Sequence, residues 1–171
     1  MVSDRIQEEL NKQILLEAES SQTYLAMASW AEGEGLSGTV NFLYKHSDEE
    51  RGHMLKLIRY VNDRGGKAKI PALPEPVSKY QSISQMFQTL LENEMEVTIS
   101  INHLVSLCLE EKDYTTHNFL QWYVAEQIEE ETLAKMIMDK LKLLGDDKSG
   151  LYLFDRDIES LPIAKTNSGL N

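Results

Sequence analysis

Apolar residues recur along this chain at alternating intervals of three and four, the spacing that lays a stripe along one face of a helix. Four such stripes can be traced. The first is Leu10, Ile14, Glu17, Ser21, Tyr24, Ala28 and Ala31; the second is Val40, Leu43, Ser47, Glu50, Met54, Leu57 and Val61. The third is Phe87, Leu90, Glu94, Val97, Ile101, Leu104 and Cys108; the fourth is Leu120, Tyr123, Gln127, Glu130, Ala134, Ile137, Leu141 and Leu144. Each reads as the inward seam of a bundle helix. Each also carries a carboxylate where an apolar side chain is expected: Glu17, Glu50, Glu94 and Glu130.

Capping and breaking residues set the bounds. Ser3 as N-cap and the Gly33-Glu34-Gly35 stop predict a first helix over about residues 4–32. Ser37 is the expected N-cap of a second helix that runs to about residue 64, where Gly65-Gly66 ends it. Residues 67–81 contain Pro71, Pro74 and Pro76 and are therefore extended. About 15 extended residues at roughly 3.3 Å each cover close to 50 Å, comparable to a helix of about 30 residues. Such a stretch can carry the chain from one end of a bundle to the other, so that the third helix runs parallel to the second. The third helix is expected over about residues 82–112. A turn at Asp113-Tyr114 leads to the fourth, from about residue 115 to just before Gly145. After a break at 146–150, Leu151-Tyr152-Leu153-Phe154 reads as a short fifth helix, packed on the end of the bundle or against other subunits. The fold class is all-α: a four-helix bundle with one long crossover and a short C-terminal helix. It forms one domain over residues 1–161, followed by a small, polar, flexible tail over 162–171.

The two halves match at an offset of 77. Asn41-Phe42-Leu43 returns as Asn118-Phe119-Leu120, and Glu17, Glu19, Ser29, Glu34 and Glu49 return as Glu94, Glu96, Ser106, Glu111 and Glu126. Two helical hairpins joined by a crossover should then be related by an approximate two-fold axis. A site on that axis draws ligands from each half. Glu50 and His53 map to Gln127 and Glu130, so one position keeps an imidazole while the other is built almost wholly from oxygen.

Composition narrows the function classes. The formal charge is −11, which argues against binding nucleic acid or an anionic membrane and is compatible with attracting cations. The beginning of the chain has no apolar signal core, and no apolar run approaches the length of a membrane span, so a cytoplasmic location is expected. Cys108 is the only cysteine, which excludes an intrachain disulfide; its seam position makes it a small core residue.

The seam carboxylates carry the chemistry. An uncompensated buried charge costs several kcal/mol, and four of them would rival the roughly 5–15 kcal/mol stability of a domain. No Lys or Arg occupies the four stripes. Protonation could relieve the repulsion, but two divalent cations match four carboxylates charge for charge. Glu50 and His53, one helical turn apart, can grip one ion. Oxygen ligands with a single imidazole favour iron or manganese over a closed structural zinc site. Tyr24, two turns beyond Glu17, could bond a ligand carboxylate, pass an electron, or simply pack. Gln127 can donate a hydrogen bond to a metal-bound oxygen. Glu49, Glu126 and Glu129, with Glu130 shared, suggest a third, weaker cation site. His46, His103 and His117 have no partners in the pattern and are assigned to surface or packing.

On Glu17, Tyr24, Glu49, Glu50-Arg51-Gly52-His53, Glu94, Trp122 and Glu126-Gln127-Ile128-Glu129-Glu130, the chain resembles the ferritins, most closely the bacterial non-haem ferritins. The resemblance covers almost the whole chain. It implies a ferritin-like bundle in a homo-oligomeric hollow shell of 24 subunits, with the fifth helix at four-fold contacts. It also implies a ferroxidase that oxidises Fe(II) with oxygen or peroxide and stores hydrated ferric oxide. Bacterioferritins carry Glu and His where this chain has Gln127 and Glu130, and a haem-ligating Met where it has Arg51, so no haem is expected. Two other readings stay open on the residues alone: a di-iron oxygenase acting on an organic substrate, and a structural bundle without redox chemistry.

Overall fold

The computed structural model describes residues 1–161, and the expected tail at 162–171 lies outside them. Five helices follow in chain order: α1 (Asp4–Gly33), α2 (Ser37–Asp63), α3 (Ile83–Glu110), α4 (Tyr114–Leu144) and α5 (Lys148–Ile158). Ser3, Ser82 and Asp113 cap α1, α3 and α4, their side chains accepting hydrogen bonds from the first-turn amides of Ile6, Gln85 and Thr116.

Two termini differ from the sequence expectation. Ser37 is the first residue of α2, not its cap; Leu36 stands at the cap position and supplies no side-chain bond. The orphan amides are taken from a distance. Asp155 of α5 accepts from Gly38 N (3.1 Å), Thr39 N (2.8 Å) and Thr39 Oγ1 (2.8 Å). At the other terminus, α5 begins three residues before Leu151, because Asp147 accepts from the amides of Ser149 and Gly150 and caps it.

The crossover runs the length of α1. Lys67 N donates to Gln7 Oε1 and Lys69 N to Asn11 Oδ1 (2.8 and 2.7 Å). Farther on, Pro74 and Pro76 line a groove with Leu16, Ser20 and Thr23, and Tyr80 meets the Trp30 ring edge-on at 5.6 Å. The chain thus leaves α2 beside the start of α1 and enters α3 beside its end, so α2 and α3 run parallel.

The halves repeat in detail. Adding 77 to the end of α1 at Gly33 and to the start of α2 at Ser37 gives the end of α3 at Glu110 and the start of α4 at Tyr114. Leu36 N donates to Ala31 O (3.0 Å) as Asp113 N does to Cys108 O (2.9 Å).

The bundle has two hydrophobic clusters rather than one. Near the α5 end lie Tyr24, Met27, Phe42, Leu43, Phe87, Leu90, Ile137 and Leu141. Near the other end lie Ile6, Leu10, Ile14, Leu57, Val61, Ile101, Leu104 and Leu120. On every long helix the break between clusters falls at the seam carboxylate. The apolar quartet at 151–154 divides: Phe154 packs into the first cluster, while Tyr152 and Leu153 are exposed. Among the described residues no helix is long and apolar enough to cross a membrane.

Candidate metal centre

Between the two clusters lies a buried polar belt. Glu17 of α1, Glu50 and His53 of α2, Glu94 of α3 and Gln127 and Glu130 of α4 are each at most 4% exposed. The seam places them there: residues that continue an apolar stripe are packed inward whatever their chemistry.

Glu17, Glu50 and His53 form a group able to hold one metal ion. His53 Nδ1 lies 3.1 Å from Glu50 Oε2 and 3.6 Å from Glu17 Oε2. Glu17 is steadied from behind: Gln13 Nε2 donates to its Oε1 (2.5 Å), and Ser100 Oγ of α3 donates to Gln13 Oε1 (2.5 Å). Its Oε2 has no partner, nor has His53 Nε2. Glu94 is held differently. The Tyr24 hydroxyl donates to its Oε1, and Gln127 Nε2 donates to its Oε2 (3.3 Å) and its carbonyl (3.2 Å). Tyr24 and Gln127 therefore converge on one carboxylate, and Glu94 joins none of the three-donor groups.

The additional acids divide. Glu49 and Glu126 are buried and, with His53, form another group. Glu129 is exposed and outside every group, acting on Glu49 and Glu126 only by charge repulsion.

Among the described residues no Lys or Arg is buried in this belt. Burial pushes the Glu130 carboxyl up to about 9, assisted by Glu94 and Glu49. Burial likewise raises Glu49 to about 8. Glu50 is raised well above the usual range by burial and by Glu94, and Glu94 is raised as well. For Glu17 burial is outweighed by the imidazole of His53 beside it, so its carboxyl is lowered. For His53, burial is outweighed by Glu17 and Glu50, and its imidazole is raised well above the ordinary value. At neutral pH the raised carboxyls hold protons, which a bound cation would displace.

Two features were not legible in the sequence. Tyr123, read as core, buries its hydroxyl beside Glu17 without a well-formed hydrogen bond, and Trp122 stacks on it at 4.4 Å. His46, assigned to surface or packing, does pack against Phe42, with centroids 4.2 Å apart. It also enters the belt. It is 1% exposed, neither ring nitrogen has a partner, and Nδ1 lies 3.7 Å from Glu130 Oε2 and 3.9 Å from Glu49 Oε2. Its i, i+3 spacing to Glu49 is the signal that could have found it. His103 is exposed and His117 is half-buried, and neither enters the belt.

Comparison with known proteins agrees with the fold. A family model described as a ferritin-like domain matches residues 7–144. A Haemophilus influenzae protein named "Probable bacterial non-heme ferritin-like protein" is 45% identical, the match covering 94% of this chain and 98% of that one. The bacterial non-heme ferritin of Campylobacter jejuni is 40% identical over 96% of this chain and 99% of its own. Among solved structures, an open pore ferritin from the archaeon Archaeoglobus fulgidus superposes with a TM-score of 0.92 at 41% identity, covering 95% of this chain and 100% of that one.

Proposed function

The chain belongs to the ferritin family, and from that premise we propose that it oxidises Fe(II) at a paired site inside each subunit and stores the product as hydrated ferric oxide. The observation that supports this most strongly is the buried Glu17–Glu50–His53 group, with an unpartnered carboxylate oxygen and imidazole nitrogen. In this reading Glu17, Glu50 and His53 hold the first Fe(II), with Glu50 bridging. Glu94 and Glu130 hold the second, and Glu94 turns from its hydrogen bonds to do so. Tyr24 and Gln127 then supply hydrogen bonds to ligand or product oxygens.

The electron count is simple. Two Fe(II) ions each give up one electron. Dioxygen accepts both with two protons to form hydrogen peroxide, or hydrogen peroxide accepts both with two protons to form two waters. Hard, anionic oxygen ligands favour the ferric product. The weaker acidic set of Glu49, Glu126 and Glu129, with Glu130 shared, receives iron leaving the pair. A surface groove of about 270 Å³ touches Gln127 but is lined by none of these carboxylates, in keeping with substrates as small as Fe(II) and dioxygen. The protein acts as a cytoplasmic homo-oligomeric shell of 24 subunits. The exposed Tyr152 and Leu153 of α5 are available for subunit contacts.

One experiment tests the reading. Fe(II) is added in air while oxidation, iron per chain and particle size are followed. Storage requires a large particle retaining far more than two irons per chain. Uptake that stops near two indicates a di-iron oxygenase, and no accelerated oxidation indicates a structural bundle.

A further inference from the structure

Indole is among the most easily oxidised side chains, and the Trp122 ring stands 5.3 Å from the His53 ring between centroids. We propose that Lys56 protects it. The Lys56 ammonium, seated over Trp122, withholds the indole's electron from oxidants formed at the iron pair and so reserves their oxidising power for Fe(II). The paired-iron reading enters only as the source of the oxidant.

Lys56 Nζ lies 3.5 Å from the Trp122 ring centroid, well inside the roughly 6 Å reach of a cation–π contact. Lys56 follows His53 by one turn of α2, and Trp122 precedes Glu126 by one turn of α4, so the pair flanks the belt where it meets the second cluster. Glu126 acts on Lys56 by charge alone, with no hydrogen bond to draw the ammonium from the ring. Among the described residues only Trp122 has a cation over its ring. Tyr123 stacks on Trp122 at 4.4 Å with the planes 9° apart, and its own ring is 5.2 Å from that of His53. The stacked rings are close enough to pass an electron, so whatever protects Trp122 decides where a vacancy comes to rest.

Two features oppose the loss of an electron from Trp122. The first is charge: an ammonium is attracted to the neutral ring and repelled by its radical cation. The second is the proton. An oxidised indole settles as a neutral radical only by giving up its Nε1 proton, and Nε1 is buried with no hydrogen-bond partner to take it. The threat is specific. Hydrogen peroxide meeting a single Fe(II) takes one electron and yields Fe(III), hydroxide and a hydroxyl radical. That radical takes a second electron and a proton to become water. The electron comes from the second Fe(II) when the pair is filled, and from a nearby side chain when it is not. Trp122 would lose one electron and one proton in that step, and Lys56 makes it the costlier donor.

Trp30, the other tryptophan, serves as internal reference: it is also half-buried, but has Tyr80 rather than a cation at its ring. The unaltered protein, Lys56→Met and Lys56→Arg are given sub-stoichiometric Fe(II) and then hydrogen peroxide, and oxidation at each tryptophan is read by peptide mass spectrometry. Modification of Trp122 relative to Trp30 should rise at least about threefold in Lys56→Met. It should return to the unaltered level in Lys56→Arg, which keeps the cation. Equal ratios in all three overturn the proposal, as does a Lys56→Arg ratio matching that of Lys56→Met. The same ratios are read in iron-free protein after one-electron photo-oxidation by a ruthenium tris-bipyridine complex. The same order is expected there whether or not the protein oxidises iron, so failure of the paired site and failure of the Lys56 role are told apart. If Lys56→Met does not assemble, the iron-free unaltered protein decides: Trp30 should be oxidised first, and Trp122 oxidised first overturns the proposal.

Discussion

The Tyr24 hydroxyl donates a hydrogen bond to Glu94 Oε1 in the middle of the bundle, joining α1 to α3. Glu94 is thereby set apart from the other carboxylates of the belt, since both of its oxygens are bonded by neutral donors. Removing the hydroxyl leaves a buried acceptor short of a partner. Tyr24→Phe should therefore cost about 1–2 kcal/mol in denaturant unfolding of the ion-free protein. The rapid phase of Fe(II) oxidation should still consume about two irons per chain, because every proposed ligand remains. A rapid phase that fell to one iron would assign Tyr24 a direct part in holding metal.

Glu94→Ala removes a proposed ligand outright. Loss of groups that merely support a metal ligand costs roughly 10–100-fold in affinity or activity. Loss of the ligand itself should slow rapid oxidation by at least about tenfold. The particle should still assemble, because Glu94 is interior to one subunit. Stopped-flow absorbance and light scattering measure the two outcomes. Unchanged kinetics would remove Glu94 from the site.

The belt should also make the ion-free protein sensitive to pH. Glu49 titrates at about 8 and Glu130 at about 9, against 4.5 for an ordinary glutamate. Both are raised, so the folded protein binds more protons than the unfolded chain between those limits. Their contribution to stability is complete below about pH 4.5 and is lost as pH rises through 8 to 9. His53, also raised, acts in the same direction, whereas the lowered Glu17 loses its contribution only in acid. The melting temperature of ion-free protein should fall between pH 6 and pH 9, and the Zn(II)-loaded protein should show a flatter profile. Loading at pH 7 should release at least about two protons per chain, and fewer at pH 9. Calorimetry in buffers of different ionisation enthalpy reads that number.

The fold was legible because its period was undisturbed. Polar seam residues such as Glu17, Ser47 and Glu130 kept the three-four spacing, so the helices could be followed through the site. The repeat also predicted equivalent hairpins, which the shared bonds at Leu36 and Asp113 bear out. The cap of α2 was hidden because Asp155 comes from 117 residues away in sequence and no local pattern encodes it. His46 was hidden for a related reason. Its neighbour Glu130 lies on another helix, and the sequence groups Glu49 with Glu126 and Glu129 as a cation site. What a helical period conveys is which side a residue faces, not which residue on a neighbouring helix it meets.

The repeat leads to a stability prediction. Gly35 has φ of 74°, and its mate at the offset of 77, Lys112, has φ of 58°. Both turns need the left-handed conformation, but only one has the residue that adopts it freely. A side chain there costs roughly 1–2 kcal/mol, partly offset by the greater freedom glycine adds to the unfolded chain. Lys112 is exposed, so little packing is lost. Lys112→Gly should stabilise the protein by about 0.5–1 kcal/mol, and Gly35→Ala should destabilise it by about 1 kcal/mol. Equal destabilisation by both would show that the two turns are not equivalent.

Asp155 fastens α5 to the bundle. The residue is 8% exposed, and its carboxylate accepts three hydrogen bonds at the start of α2, where Leu36 offers no cap. Gly38 is part of the same joint, since a Cβ there would sit 1.7 Å from the Asp155 carbonyl oxygen. Backbone cannot yield as a flexible side chain can, so Gly38→Ala must push α5 away. Asp155→Ala leaves the amides of Gly38 and Thr39 unpaired and should cost about 2 kcal/mol. Both variants should raise amide exchange in α5 and at the start of α2, while exchange at Glu17, Glu50 and His53 stays slow. The second hydrophobic cluster lies on the far side of the polar belt from α5 and should be untouched. If exchange rose equally throughout, α5 would be an integral part of one cooperative core rather than a separately docked element.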